Sequence, residues 1–278
     1  MVIVGRLAPT PSGHLHLGNA VAFVGAWLSA RAAGGRLLLR VEDVDLERAR
    51  PDVEAAHRED LAWLGLDWDA EVLRQSSRSY AEALATLAPH TYRCTCTRAQ
   101  IRDTGGVYQG TCRAAGHTEG AIRFRLPDGP VVVHDRARGE VVVEPARTLG
   151  DPVLVRRDGV VAYPLAVVAD DVRDGVTEVV RGADLLEVTA VQLPVWAALG
   201  RAPPTWLHTP LVLGADGRKL SKSHGSTELR ALRAAGWTPS DVWRQVSPWL
   251  GIDAVDRPEE AVAAFAAAAV PPGPFTAP

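Results

Sequence analysis

Apolar positions along this chain fall into short blocks whose period changes from two to nearly four and back. Val2-Ile3-Val4 and Leu37-Leu38-Leu39-Arg40-Val41 are β-rich, and between them Leu17 to Ala33 carries an Ala-rich helical pattern closed by Gly34-Gly35. Strand, helix and strand within about forty residues predict a parallel βαβ unit. Two further helices are predicted over Pro51 to Leu64 and Ser77 to Leu87, the first with Pro near its start and Gly65 after its end. Past Pro89 the texture changes. Residues 90–120 are rich in Cys, Thr, Gly and Arg with little periodicity, the composition of a small irregular module that needs a staple. β-type runs follow at Ala121 to Leu126, at Val131-Val132-Val133 and Val141-Val142-Val143 across Arg138-Gly139, and at Val153-Leu154-Val155 before Asp158-Gly159. Helix-strand alternation returns at Leu165-Ala166-Val167-Val168, Val176 to Val180 and a helical stretch from Ala183 to Leu199 interrupted by Pro194. From about Leu213 the pattern is a loop, two or three helices and a Pro-rich tail, 271–278, expected to fray. The whole predicts an α/β nucleotide-binding sheet split by an inserted β-rich module. Its expected boundaries are 1–88 and 160–212 for the sheet, 89–159 for the insertion and 213–278 for a loop and short helical C-terminal segment.

Composition narrows the class. With 278 residues, 47% hydrophobic, 23% charged and a net charge of −3, the chain can bury a sizeable core and is neither disordered nor a disulfide-stapled mini-protein. The longest apolar run, Ala261 to Val270, is half the roughly 20 residues of a membrane helix. Met1 to Gly18 does not read as a signal peptide, so a cytoplasmic location is expected, without membrane contact. The charge speaks against a uniformly basic nucleic-acid binder but leaves room for a local basic face. Of 30 basic Lys and Arg residues only Lys219 and Lys222 are lysines, and they sit three apart in Gly217-Arg218-Lys219-Leu220-Ser221-Lys222-Ser223. A compact ammonium on a flexible stem suits a phosphate-contacting loop. Cys94, Cys96 and Cys112 lie within nineteen residues. An odd number of thiols without a secretory signal argues against a disulfide framework, and three soft ligands suit zinc.

The first strand-to-helix connection runs from Gly5 through Arg6-Leu7-Ala8-Pro9-Thr10-Pro11-Ser12-Gly13 to His14-Leu15-His16-Leu17-Gly18-Asn19. In a doubly wound sheet a ligand binds here, with a helix N-terminus pointing at it. His16 taken alone is equally a helix cap. The combination carries more. His16-Leu17-Gly18-Asn19 near the start and Lys219-Leu220-Ser221-Lys222-Ser223 about two hundred residues later resemble the paired signatures of class I aminoacyl-tRNA synthetases. The flanks Arg6 to Gly13, Arg40-Val41-Glu42-Asp43-Val44-Asp45 and Val180-Arg181-Gly182-Ala183-Asp184-Leu185-Leu186 look like the glutamyl/glutaminyl subgroup.

That resemblance implies a Rossmann-type catalytic domain that activates L-glutamate with ATP and Mg²⁺. It implies Arg6 and Arg181 for the substrate carboxylates, Glu42 for the ammonium and Tyr163 for a hydrogen bond, with contacts along Leu7, Ala8, Pro9 and Thr10. It gives His16, Asn19 and Lys222, assisted by Lys219, to the phosphates of ATP. The bland alternatives are an ion pair of Glu42 with Arg40 or Arg48 and a core role for Tyr163 with its hydroxyl at the rim. The spacing Cys94-x-Cys96, Tyr108, Cys112 resembles the structural zinc knuckle of the subgroup's short branch, in which Tyr is the fourth ligand; on chemistry alone His90 and His117 rival Tyr108. The chain ends about fifty residues after its lysine loop, which also resembles that short branch. The branch implies tRNA-independent glutamate activation and transfer to queuosine in the anticodon stem-loop of tRNA(Asp), by a monomer. The competing readings are a short synthetase charging a tRNA 3′ end, a nucleotidyltransferase sharing the first signature, and a non-catalytic zinc-containing RNA-binding module. Arg123, Arg125, Arg136, Arg138, Arg156 and Arg157 could meet phosphates or form solvated hairpin faces.

Overall fold

A computed structural model describes residues 2–214, 216–220, 227–265 and 270–277. Strand β1 (Val4–Leu7), helix α1 (Leu17–Ala32) and strand β2 (Arg36–Leu39) form the expected parallel unit, with Val4 opposite Arg36 and Leu7 opposite Leu39. The turn into β2 depends on glycine: a Cβ on Gly35 would stand 2.5 Å from the Ile3 carbonyl oxygen. Helix α2 (Pro51–Trp63), with Pro51 in its first turn, leads to β3 (Ala70–Glu71), parallel to β2; α3 (Ala81–Leu87) follows.

The middle of the chain departs from the predicted insertion. Strand β4 (Thr91–Cys94), helix α4 (Arg98–Asp103) and strand β5 (Ala121–Phe124) come first. They are followed by the hairpin β6 (Val131–Asp135) and β7 (Gly139–Val143), helix α5 (Pro145–Thr148) and strand β8 (Val153–Val155). Strands β4, β5 and β8 make a small antiparallel sheet. The hairpin, expected to belong with them, instead extends a second sheet in which β6 lies beside the later strands β10 (Thr205–Thr209) and β9 (Glu178–Gly182), in the order β7-β6-β10-β9, through the parallel pair Asp135 and Trp206.

Helix α6 (Tyr163–Asp174) absorbs the Leu165 to Val168 run, and β9 (Glu178–Gly182) leads into α7 (Leu186–Ala198), which continues through Pro194. Strand β10 (Thr205–Thr209) pairs with β9 in parallel. Thr177 N donates to Val4 O at 2.9 Å, and this bond sets β9 beside β1. Strand β11 (Val212–Leu213) precedes helices α8 (Leu229–Ala234), α9 (Pro239–Val246) and α10 (Pro258–Phe265). The tail does not fray where expected: β12 (Phe275–Thr276) pairs with β11, Phe275 stacks on Trp249, and Ala277 is buried.

The C-terminal helices share the main core with α1 and α2. Trp243 of α9, only 1% exposed, meets Trp27 edge to face at 6.2 Å and donates its indole N–H to Leu64 O. Burying an aromatic of that size stabilises by about 2–3 kcal/mol. A second core under α6 and α7 takes Phe124 and Leu154 from the small sheet, which is therefore anchored to those two helices.

Candidate active site

A cavity of about 560 Å³ opens at the carboxyl ends of β1 and β9, the place where parallel sheets hold ligands. Arg6, Ala8 and Thr10 reach it from the end of β1, His16 and Asn19 from the start of α1, and Glu42 from the segment after β2. Tyr163 comes from the first turn of α6, Arg181 from β9 and Lys219 from the loop after β11. Leu7 and Pro9 do not line it. Leu7 belongs to the core, while the Leu7 and Pro9 carbonyls accept from Arg40 N and Glu42 N. Lys222 lies outside the described residues.

His16 and Asn19 are brought together by folding itself. His16 Nδ1 accepts from Asn19 N at 3.3 Å, and Asn19 Oδ1 accepts from His16 N at 3.1 Å, a reciprocal capping box on α1. A Cβ on Gly18 would stand 3.0 Å from the His16 ring, which explains the small residue between them. The helix-cap reading and a phosphate-facing reading therefore share the same two side chains.

The two arginines are fixed by many partners. Arg6, 5% exposed, donates to Val180 O at 3.1 Å and lies 3.5 Å from Asp171. Burial lowers its pKa against the pull of Asp171, and the neighbouring Arg40 adds to the drop. Arg181, also 5% exposed, donates to the Tyr163 hydroxyl at 3.1 Å, Thr189 Oγ1 at 2.6 Å and Gln192 Oε1 at 2.7 Å. Its buried Nε has no acceptor among the described residues. Glu42 does pair with Arg40, as the bland alternative has it, but away from the surface. It is buried, 3.2 Å from Arg40, and burial pushes its carboxyl up against the opposing pull of Arg40 and Arg6. Burial likewise raises the Tyr163 phenol, with Arg181 opposing. Lys219 is half exposed and ion-paired with Asp184, which also lines the cavity.

Sequence reading missed what stands behind this wall. Arg40, fully buried, pairs with Asp171 at 2.7 Å and Asp174 at 3.0 Å as well as Glu42. Arg78 joins Asp174 at 2.9 Å and Asp170 at 3.1 Å, and Gln75 and Tyr80 donate to Asp170. Burial opposes the charge of Arg40, but Asp171, Glu42 and Asp170 outweigh it and hold the guanidinium well above its ordinary pKa. The available signal was the Asp170-Asp171-x-x-Asp174 set in an otherwise apolar helix and a lone Arg continuing the Leu37 to Leu39 run.

Away from the cavity, the sulfurs of Cys94, Cys96 and Cys112 lie within 4.8 Å of one another. The Tyr108 hydroxyl accepts from Cys112 N at 2.8 Å, placing the phenol at the same cluster. His117 Nε2 instead faces Thr95 Oγ1 at 3.3 Å, and His90 packs on Phe124. Burial pushes the Cys96 thiol up to about 11. At Cys112 burial is overcome by the Thr95 N–H and the neighbouring thiol and phenol donors, which bring it to about 6. The arginines of this region are mostly engaged within the protein: Arg123 lies 3.9 Å over the Tyr108 ring, Arg136 pairs with Glu178 and Arg156 with Asp45.

Residues 2–248 match the catalytic domain of class I tRNA synthetases (E and Q). A glutamyl-Q tRNA(Asp) synthetase of Nitratidesulfovibrio vulgaris is 42% identical over 311 residues, covering 100% of this chain and 96% of its own. One from Pseudomonas aeruginosa is 46% identical over 260 residues, covering 88% and 89%. The chain belongs to the glutamyl-Q tRNA(Asp) synthetase family of class I tRNA synthetases.

Solved glutamate-tRNA synthetase structures share the fold of this glutamyl-Q tRNA(Asp) synthetase family member. A glutamate-tRNA synthetase from Elizabethkingia anophelis superposes with a TM-score of 0.82 at 26% identity, covering 100% of this chain and 68% of that one. A glutamate tRNA ligase from Elizabethkingia meningosepticum in complex with its amino acid gives 0.82 at 25% identity, covering 99% and 67%. No helix among the described residues is long and apolar enough to cross a membrane.

Proposed function

We propose that this enzyme activates L-glutamate with ATP and Mg²⁺, without tRNA, and passes the glutamyl group to queuosine at the wobble position of tRNA(Asp). The observation that carries glutamate is the Arg181 Nε, buried in the cavity wall without an acceptor, on the same cavity as buried Arg6 and Glu42. A dicarboxylate with one ammonium supplies acceptors for the two guanidiniums and a cation for Glu42. In the activation step a carboxylate oxygen of glutamate bonds to the α-phosphorus of ATP as the bridging bond breaks and pyrophosphate leaves. The protein supplies position and charge, not a nucleophile. His16 Nδ1 is an acceptor in the cap, so its proton sits on Nε2, the tautomer able to donate to a phosphate oxygen. Lys222 and Lys219 would neutralise the departing pyrophosphate.

The acceptor rests on the names of the relatives, glutamyl-Q tRNA(Asp) synthetases. Labelled glutamate is expected to enter tRNA(Asp) that carries queuosine and not tRNA(Asp) that lacks it, with nuclease mapping placing the label in the anticodon loop. Label at the 3′ end would mark a short glutamyl-tRNA synthetase instead.

Cys94, Cys96, Cys112 and Tyr108 would hold a structural zinc, the three thiols and the phenol offering four ligands from protein. Metal analysis should show zinc lost from Cys94→Ser and Tyr108→Phe and kept in His117→Ala; loss confined to the His117 variant would move the fourth ligand to that histidine.

A further inference from the structure

A chain of buried polar groups runs from the β6–β7 hairpin to the substrate wall. Asp135 closes β6, and its carboxylate takes four donors: Ala137 N at 2.9 Å and Arg138 N at 3.0 Å on Oδ1, His208 N at 2.8 Å and His208 Nδ1 at 2.7 Å on Oδ2. An acceptor-only carboxylate fixes the proton of the imidazole on Nδ1. His208 Nε2 is then the acceptor for the Thr189 hydroxyl, 2.9 Å away. Leu185 O, 3.2 Å away, is a second acceptor for the same hydroxyl, but Nε2 is the nearer; with its hydrogen there, Thr189 Oγ1 accepts from Arg181 Nη2 at 2.6 Å. His208 and Thr189 are both fully buried. The groups facing His208 from the packed elements are Asp135, Arg181 and Arg138, and its burial with the two arginines favours the neutral ring over the pull of Asp135.

We infer that Asp135, His208 and Thr189 form a positioning relay that fixes the Arg181 guanidinium for the side-chain or main-chain carboxylate of the amino-acid substrate. The inference rests on the reading that Arg181 binds glutamate. One Nη2 hydrogen goes to Thr189 and the other to Gln192, so the plane of the guanidinium is set before substrate arrives. Recognition of a carboxylate depends on that plane, because a tilted guanidinium no longer aims its remaining N–H groups at an acceptor. None of the relay residues lines the cavity, which separates their role from contact with substrate.

Glutamate-dependent pyrophosphate exchange measured at varied glutamate and varied ATP tests the relay. Thr189→Val keeps the shape and removes the hydroxyl; it should raise the KM for glutamate roughly tenfold or more, the effect of one hydrogen bond to a charged group. The KM for ATP should stay unchanged and kcat should stay within about threefold. Thr189→Ser should restore the glutamate KM to within about twofold. His208→Gln should raise the glutamate KM in the same direction and lower the preference for glutamate over glutamine. If Arg181→Lys raises the glutamate KM while Thr189→Val and His208→Gln leave it alone, the relay is overturned and the reading of Arg181 stands. If Arg181→Lys also leaves it alone, the reading of Arg181 is what fails. Equal losses in kcat and both KM values, unrelieved by Thr189→Ser, would assign these residues to folding alone and overturn the inference.

Discussion

The cavity has two cationic walls, and they are built on opposite plans. On one, Arg6 and Arg181, with Arg40 behind them, are almost wholly buried and each has two or more protein partners. On the other, Lys219 is half exposed and ion-paired with Asp184. Buried ion pairs gain little net stability, because desolvation consumes much of the attraction, but removing one member leaves the others stranded. An exposed pair contributes almost nothing and is easily exchanged for another anion. On the proposed function, the buried wall is fitted to hold one geometry for the amino acid, and the exposed pair to trade Asp184 for phosphate oxygens.

Breaking the buried wall should have the largest effect. Arg40→Met takes the ion-pair partner of Glu42 away and leaves Asp171 to Arg6 and Asp174 to Arg78 alone, and is expected to cost about 3–5 kcal/mol of stability, a fall in Tm of roughly 10 °C by calorimetry. A Tm within two or three degrees of the parent, on the order of 1 kcal/mol, would show that the network relaxes around the loss. The exposed wall should behave in the opposite sense. Lys219→Ala should leave stability within about 0.5 kcal/mol, and Lys222→Ala should cut pyrophosphate exchange by roughly a hundredfold while glutamate still binds by calorimetry. Undiminished exchange in the Lys222 variant would remove that lysine from the chemistry.

Asp60 sits between these extremes. It ties α2 to Arg233 of α8 at 3.1 Å, and burial, against the pull of Arg233, raises its carboxyl to about 6. The fold therefore favours the protonated form. Its stabilising contribution is complete below the ordinary carboxyl range and fades as pH rises toward about 6. Asp60→Asn should flatten that part of the Tm-against-pH curve, and an unchanged slope would place the titration elsewhere.

Much of this was legible in the chain because its signals are local. The Leu17 helix and the Pro51 helix end within a residue of their predicted bounds, since capping and glycine stops act over one turn. The motif residues around Arg6, Glu42 and Arg181 converge on one cavity because each sits at the end of a strand or the start of a helix. What stayed hidden is pairing over long separations. The β6–β7 hairpin announces itself, but its partner β10 lies some seventy residues on. Arg40 and Asp171 meet across more than a hundred residues, and β12 is two residues whose strand character exists only beside β11. Leu7 and Pro9 show the converse, since a motif names a stretch of chain while the pleat decides which of its side chains face the ligand.

The capping box on α1 has a consequence for how substitutions at its two residues are tolerated. His16 and Asn19 hold the first turn of the helix as well as standing at the mouth of the cavity. A change at either is screened first by whether the helix starts on time and only then by what it does to the reaction, so drift there passes two independent filters. The signature is thereby kept in place by the folding of the empty protein, before any nucleotide is bound.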